Sequence, residues 1–169
     1  MQHFRTVLWL CAVVALPGLA RANLSYQQLS AVADAFEAAI HTVHDTPPAP
    51  VSPTPAQCAA FAALFAPEAL ITSSGTNFTA SMFCRLWSLV GVQQHTTTFA
   101  YRMVATADVA VSPFPAQGQT VGFLIVDTGI TATNCSFMVP NVAWLRVDPT
   151  SGLINYLEFV TDDVDPCFG

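Results

Sequence analysis

The stretch from residue 142 to residue 160, VAWLRVDPTSGLINYLEFV, restricts the fold of this chain more than any other. Two runs of β-branched, aliphatic and aromatic residues flank the turn-forming sequence DPTSG. This pattern predicts a β-hairpin in which the numbers of paired residues sum to about 301, within one or two register steps. Trp144 is then expected opposite Leu157. Both faces of the hairpin are apolar, as is typical of a sheet that helices cover on one side and that is closed on the other.

The same register predicts a disulfide bond. Extended outward, it places Cys135 opposite Pro166 and next to Cys167, unless Pro140 introduces a bulge that shifts the pairing. Four cysteines lie beyond residue 22, and an even number in an exported chain predicts two disulfide bonds, with three connectivities open. A Cys135–Cys167 bond would leave Cys58 and Cys84 as the second pair. A redox or zinc site is not favoured, because the sequence has no Cys-x-x-Cys motif.

The first 22 residues have the pattern of a secretory signal peptide. Arg5 precedes an apolar run over 7–16, and the small-residue pattern Ala-Arg-Ala ends at Ala22. The apolar run is too short to span a membrane. We therefore expect a secreted, extracellular protein in which residues 23–169 form a single domain.

The charge balance restricts the partners of the chain. The sequence contains eleven acidic residues, five arginines and no lysine, and its net charge is −6. We therefore expect neither nucleic acid nor, after removal of the signal, a membrane as a partner. Three tripeptides match the N-glycosylation pattern and predict a glycoprotein, if the host glycosylates. Their asparagines are Asn23, Asn77 and Asn134, of which Asn77 is the best candidate because it lies in a loop before a helix.

The predicted helices come before most of the predicted strands. Apolar residues at three- and four-residue steps predict a first helix over 24–45, and a proline-rich connector follows at 47–55. Further helices are predicted at 56–65 and 79–92, and strands at 69–72, 96–111, 119–128, 135–147 and 153–160. The expected fold class is α+β, with three helices packed on a strongly curved antiparallel sheet.

This layout resembles the SnoaL-like family of the nuclear transport factor 2 superfamily. The sequence FAALFAPEALIT at 61–72 resembles the segment before that family's first strand. Gly152-Leu153-Ile154, followed by Phe159-x-x-Asp162, resembles its closing turn and strand. The resemblance covers most of 23–169 and implies a cone with an apolar pocket. Some members are cyclases, isomerases or dehydratases, whereas others only bind or scaffold.

The resemblance implies a ligand that is a small apolar or aromatic molecule. The residues expected to line the pocket are Phe123, Ile125, Trp144, Tyr156 and Glu158. No cofactor and no metal ion is expected, because His41 and His44 are better explained as complements to the C-terminus of a helix. The sequence has no phosphate loop, no Gly-x-Ser-x-Gly and no His-Glu-x-x-His motif.

Catalysis is left open by the sequence. Ketosteroid-isomerase-like members carry a catalytic aspartate after the first strand, and residues 71–75 here contain no carboxylate. The candidates for another acid–base site are Asp127, which shares a strand face with Ile125, and with it His95 or Tyr26. The simpler explanation of Asp127 is that the strand ends there in solvent, and that of Tyr26 is packing on the sheet.

Three functions follow as hypotheses. The first is a secreted domain that binds a small apolar molecule in its cone, without assignable catalysis. The second is a pocket enzyme of the cyclase, isomerase or dehydratase type that uses Asp127 with His95 or Tyr26. The third is a secreted structural module that forms a homodimer through its open sheet face.

Overall fold

The computed structural model describes residues 23–45, 53–86, 92–108, 118–161 and Cys167. Within these residues it contains three helices, α1 (Tyr26–His44), α2 (Pro55–Ala62) and α3 (Ala80–Leu86). Its six strands are β1 (Phe65–Ser73), β2 (Thr76–Phe78), β3 (Val92–Asp108), β4 (Gln119–Thr131), β5 (Ser136–Val147) and β6 (Ile154–Thr161). The predicted signal peptide and most of the proline-rich connector lie outside the described residues. None of the described helices is long and apolar enough to cross a membrane.

The strands form one sheet in the order β2-β1-β6-β5-β4-β3. The α+β prediction is confirmed, but the sheet is mixed rather than wholly antiparallel, because β1 pairs with β6 in parallel. The prediction made the first strand too short and missed β2. Strand β1 begins at Phe65, and a two-residue turn at Ser74 and Gly75, both with positive φ, returns the chain as β2.

Helix α1 covers one face of the sheet, as its apolar periodicity predicts. Ser25 caps the helix and forms a capping box with Gln28. The buried stripe consists of Leu29, Ala33, Phe36, Ile40 and Val43. Phe36 stacks on Phe123 of β4 with 5.5 Å between ring centroids. Each large side chain in this stripe stabilises the fold by about 1.5–3 kcal/mol through burial.

The predicted hairpin is present, but most of it is shifted by one register step. Its turn is as predicted, since the N–H of Asp148 donates to the carbonyl of Leu153. A bulge between Arg146 and Val147 then shifts the pairing, so that Trp144 lies opposite Glu158 instead of Leu157. A one-residue shift exchanges the faces of a strand. Leu157 of β6 therefore joins Leu145 in the core beneath the helices, whereas Tyr156 and Glu158 join Trp144 on the opposite, open face.

Both expected disulfide bonds are present. Cys58–Cys84 joins α2 to α3, and Cys135–Cys167 joins residue 167 to the turn between β4 and β5. The first bond also fixes the rotation of α3. Phe83 and Cys84 are buried, whereas Met82 and Leu86 are exposed.

Strand β3 is the long outer strand of the sheet. Its pairing with β4 is irregular at three places, between Val92 and Gln94, between Phe99 and Tyr101, and between Ala105 and Asp108. Such irregularities twist an outer strand and interrupt its row of free backbone groups.

Candidate functional site

A cluster of polar side chains lies on the helix-covered face of the sheet, beyond the C-terminus of α1. Strand β4 alternates as predicted, so that Asp127 follows Val121, Phe123 and Ile125 on this face. Because α1 ends at His44, its apolar stripe does not continue over Asp127. The other polar members of the cluster are Asp45, His95, Thr97 and Asn141.

The Asp127 carboxylate is held by groups from both neighbouring strands. Its Oδ1 accepts a hydrogen bond from Thr97 Oγ1 at 2.8 Å and lies 3.3 Å from His95 Nε2. Its Oδ2 accepts a hydrogen bond from Asn141 Nδ2 at 2.7 Å. Thr97 is the direct cross-strand partner of Asp127 on β3. The pairing of the strands therefore fixes the orientation of this carboxylate.

A second carboxylate, that of Asp45, approaches the other side of the His95 ring. Asp45 is the C-cap of α1, and its Oδ1 lies 4.0 Å from His95 Nδ1 and accepts the backbone N–H of Thr97 at 2.9 Å. Its Oδ2 lies 2.6 Å from Nδ1 of the exposed His41. The sequence prediction missed Asp45, although its spacing of four residues from His41 was a signal that the two side chains pair.

The three titratable groups of the cluster are shielded to different degrees. The His95 side chain is 5% exposed, that of Asp127 12% and that of Asp45 31%. A small apolar group formed by Val92, Phe137 and Val139, with Cys167 packed against it, lies at the same end of the sheet. Solvent therefore reaches the cluster mainly through the two carboxyl groups.

Phe137 contacts His95 across a glycine. His95, Gly129 and Phe137 form one cross-strand row on β3, β4 and β5. The Phe137 ring stacks on the imidazole with 6.2 Å between centroids and 23° between planes. A Cβ on Gly129 would lie only 2.6 Å from Phe137 Cζ. The absence of a side chain at Gly129 therefore permits this stacking.

The arrangement is suited to proton transfer. An imidazole between two carboxylates is held in one orientation, and a proton can move between His95 and Asp127 over the 3.3 Å that separates Nε2 from Oδ1. A fixed, largely buried and partly accessible acid–base pair is the geometry required for general acid or base catalysis. Among the described residues, no three His, Cys, Asp or Glu side chains are arranged to hold a metal ion.

Tyr26, the other partner proposed for Asp127, lies elsewhere. It begins α1 and is 61% exposed, whereas the cluster lies at the opposite end of that helix. A 19-residue helix is about 28 Å long. The structure therefore brings His95, but not Tyr26, to Asp127.

The residues predicted to line one pocket are divided by the sheet. Phe123 and Ile125 are buried beneath α1. Trp144 lies on the open face because it alternates with the buried Leu145, and the register shift places Tyr156 and Glu158 on the same face. The five side chains therefore do not surround a single space.

A cleft of about 210 Å³ lies on another part of the molecule, between α2, β1 and the start of α3. It is lined by Ala62, Phe65, Ala66, Pro67, Ala69, Thr79, Ala80 and Ser81. None of these side chains titrates in the range in which enzymes use general acids and bases. This cleft therefore offers no acid–base chemistry.

Comparison with known proteins defines the class of fold. No family model matches the sequence, and no curated protein matches it. PrhC from Penicillium brasilianum NBRC 6234 is similar in structure, with a TM-score of 0.56, 13% identity and 82% of each chain covered. A proposed SnoaL-like polyketide cyclase from Shewanella putrefaciens CN-32 has a TM-score of 0.52 and 9% identity, over 82% of this chain and 81% of its own.

An LEH-like epoxide hydrolase from M. tuberculosis is also similar, with a TM-score of 0.50 and 13% identity, over 82% of this chain and 86% of that protein. The chain therefore has the same fold as these proteins, a SnoaL-like fold. The resemblance noted in the sequence is confirmed at the level of the fold. At these identities the likeness does not extend to an activity.

Proposed function

We propose that this protein is a small acid–base enzyme in which Asp127 and His95 transfer a proton to or from a small, largely apolar substrate. The observation that carries this proposal is the 3.3 Å approach of His95 Nε2 to Asp127 Oδ1, with Asp45 on the other side of the ring. Two structurally similar proteins are named as a proposed polyketide cyclase and an epoxide hydrolase, which is compatible with catalysis on this fold.

The contacts support a distinct role for each residue in this proposal. Asp127 is the group that meets the substrate, because its carboxyl is more exposed than the His95 ring. Thr97 and Asn141 hold that carboxylate through hydrogen bonds of 2.8 and 2.7 Å. His95 exchanges a proton with Asp127, and Asp45 orients the imidazole. The reaction class is an isomerisation, cyclisation or dehydration, in which a proton leaves one substrate atom and is returned to another.

The centre of the helix-covered face, beneath α1, is less suited to binding a ligand than the region beyond the C-terminus of α1. Phe123 and Ile125 pack beneath α1, and Phe36 already stacks on Phe123. A guest molecule there would have to displace core side chains, which costs several kcal/mol. The polar end of the face, where α1 no longer covers the sheet, is the better place for the small molecule expected from the sequence.

Deuterium exchange next to the carbonyl of small cyclic ketones tests the proposal. The protein is incubated with a panel of such ketones in D2O, and the loss of the α-proton signals is followed by NMR. We expect faster exchange than in buffer, and a loss of roughly a hundredfold or more in Asp127→Asn and His95→Gln. Glu68→Gln removes a carboxylate from the exposed surface of β1 and should leave the rate unchanged. Equal rates in all three variants would refute the proposal.

A second candidate function is self-association through the open sheet face. Five exposed large apolar side chains lie on this face, namely Tyr101, Met103, Leu124, Met138 and Val160. Met138 is 66% exposed and Tyr101 63%. Extended apolar patches of this kind mark interaction sites. Light scattering should show a dimer that Met138→Glu dissociates, whereas Met82→Glu, on the exposed side of α3, should leave it intact. A monomer at high concentration would exclude this function.

We also propose that the chain is exported and glycosylated. The two disulfide bonds are compatible with an oxidising compartment. The three sequon asparagines, Asn23, Asn77 and Asn134, are all exposed. Intact-mass analysis of protein secreted from a eukaryotic host should give a chain that begins at Asn23 and loses glycan mass in Asn77→Gln. A chain retained in the cell with residues 1–22 attached would contradict export.

A further inference from the structure

We infer that the substrate of the His95–Asp127 site is uncharged or positively charged, and that carboxylates and phosphates are excluded. This inference rests on the proposed function and adds the charge of the substrate to it. It follows from the positions of the charged side chains in the described part of the chain.

The site itself never carries a net positive charge while its carboxylates are ionised. Asp45 and Asp127 contribute two negative charges, and the imidazoles of His95 and His41 are the basic groups paired with them. With both imidazoles neutral the four side chains carry a charge of −2, and with both protonated they carry zero. An anionic substrate therefore meets repulsion or, at best, no attraction.

Two arginines of the described residues, Arg102 and Arg146, bind groups outside the site. Arg102 of β3 donates to Asp34 and Glu37 of α1, and the hydrogen bond to Asp34, more than the opposing burial, raises the pKa of this guanidinium above its usual value. Arg146 is buried on the other side of the sheet and donates to the carbonyl of Gly118. Neither side chain points towards Asp127.

Arg85 is the remaining arginine of the described residues. It lies on α3, which packs against α2 and β1. Strand β1 is separated from β4 by β6 and β5, a distance of roughly 14 Å at the usual spacing of strands. The sequence contains no lysine that could take its place. The described residues therefore supply no fixed cation for a carboxylate or phosphate of a substrate.

The size of the effect follows from Coulomb's law. A unit charge about 8 Å from a ligand changes its affinity roughly two- to thirtyfold, depending on how far water penetrates the site. The neighbouring side chains of Phe137, Val92 and Val139 are apolar. Small aromatic compounds of similar size and different charge are therefore suitable probes.

The test compares the affinities of benzylamine, benzyl alcohol and benzoate for the site. Binding is measured through the NMR signals of the His95 ring at pH 7.5 and low salt. We expect benzylammonium to bind about tenfold more tightly than benzoate, with benzyl alcohol between them. Asp45→Asn should reduce this preference, since it removes a charge beside the ring but keeps an acceptor for the N–H of Thr97. Glu68→Gln changes the net charge equally on β1 and should not alter it. Adding 0.5 M NaCl should reduce the preference.

The outcomes separate this inference from the proposed function. Benzoate binding as tightly as benzylammonium would overturn the charge inference, while deuterium exchange catalysed by Asp127 would still stand. Equal effects of Asp45→Asn and Glu68→Gln would assign the preference to overall charge and would also overturn the inference. If none of the three probes perturbs His95, the site does not bind small aromatic molecules, and the inference fails.

Discussion

The ring of Phe137 lies over the backbone of Gly129 and stacks on the imidazole of His95. The three residues belong to adjacent strands, and Gly129 is the direct cross-strand partner of both aromatic groups. The position of the imidazole therefore depends on a residue that has no side chain. This dependence leads to the first prediction.

Gly129→Ala should displace Phe137 and reorient His95. The new Cβ would lie 2.6 Å from Phe137 Cζ and would also overlap the carbonyl oxygen of Gln94. We expect a loss of about 1–3 kcal/mol in the free energy of unfolding, as for other overpacked sites, together with altered NMR signals of the His95 ring. Gly122→Ala is the matched control, because its Cβ would lie 2.5 Å from the Trp144 ring on the open face. Gly122→Ala should destabilise the fold without changing the NMR signals of His95.

The two disulfide bonds should contribute similarly to stability but differently to the site. Their sequence separations are 26 and 32 residues, for which loop closure predicts about 3.5 kcal/mol each. Because Cys167 packs on the apolar group that contains Phe137, replacing Cys135 and Cys167 by alanine should also perturb His95. Replacing Cys58 and Cys84 by alanine should leave His95 unperturbed. Urea unfolding and histidine NMR spectra of the two double variants provide the comparison, and identical His95 spectra would contradict it.

The hydroxyl of Thr97 should contribute measurably to stability through Asp127. It donates to Oδ1 at 2.8 Å in a buried position. Thr97→Val keeps the shape of the side chain but removes this hydrogen bond, which should cost about 1.5–3 kcal/mol because the acceptor is charged. Thr98→Val alters the next, exposed residue of the same strand and should change the free energy of unfolding by less than about 0.5 kcal/mol. Equal effects in chemical denaturation would show that the Thr97 hydrogen bond is not stabilising.

The side chain of Gln119 should anchor the start of α1. This fully buried amide accepts the N–H of Leu24 at 2.6 Å and donates to the carbonyls of Leu24 and Thr106 at 2.9 and 2.5 Å. Gln119→Leu would leave these backbone groups without the amide and should cost about 2–3 kcal/mol. Amide hydrogen exchange at Leu24 should increase. Gln27→Leu, at an exposed position of α1, should leave both quantities nearly unchanged.

Local patterns predicted much of the fold. The period of its apolar residues identified α1, and the DPTSG sequence identified the last hairpin. The hairpin register was close enough to place Cys135 beside Cys167. The full length of β1 and its parallel pairing with β6 could not be predicted, because they join residues about 90 positions apart. No local signal marks the bulge opposite Arg146 and Val147, which turned Tyr156 and Glu158 of β6 to the open face, on which Trp144 lies.

The candidate site was predicted only in part. Alternation along β4 drew attention to Asp127, and His95 was singled out at the start of the next strand towards the edge of the sheet. Asp45 and Asn141 were missed, because their contacts depend on where α1 ends against β3 and on which residue of β5 faces Asp127. Such contacts are set by tertiary packing rather than by periodicity.

The irregular pairing of β3 also bears on how the protein behaves at high concentration. An outer strand of 17 residues with few charges would otherwise offer a continuous template to extended chains. The pairing of β3 is irregular at three places, and the Asp45 carboxylate occupies the backbone N–H of Thr97. Only short segments of the strand are therefore available for pairing with another chain. The folded domain should therefore be a poor seed for fibril growth, although few charged side chains lie along this edge of the sheet.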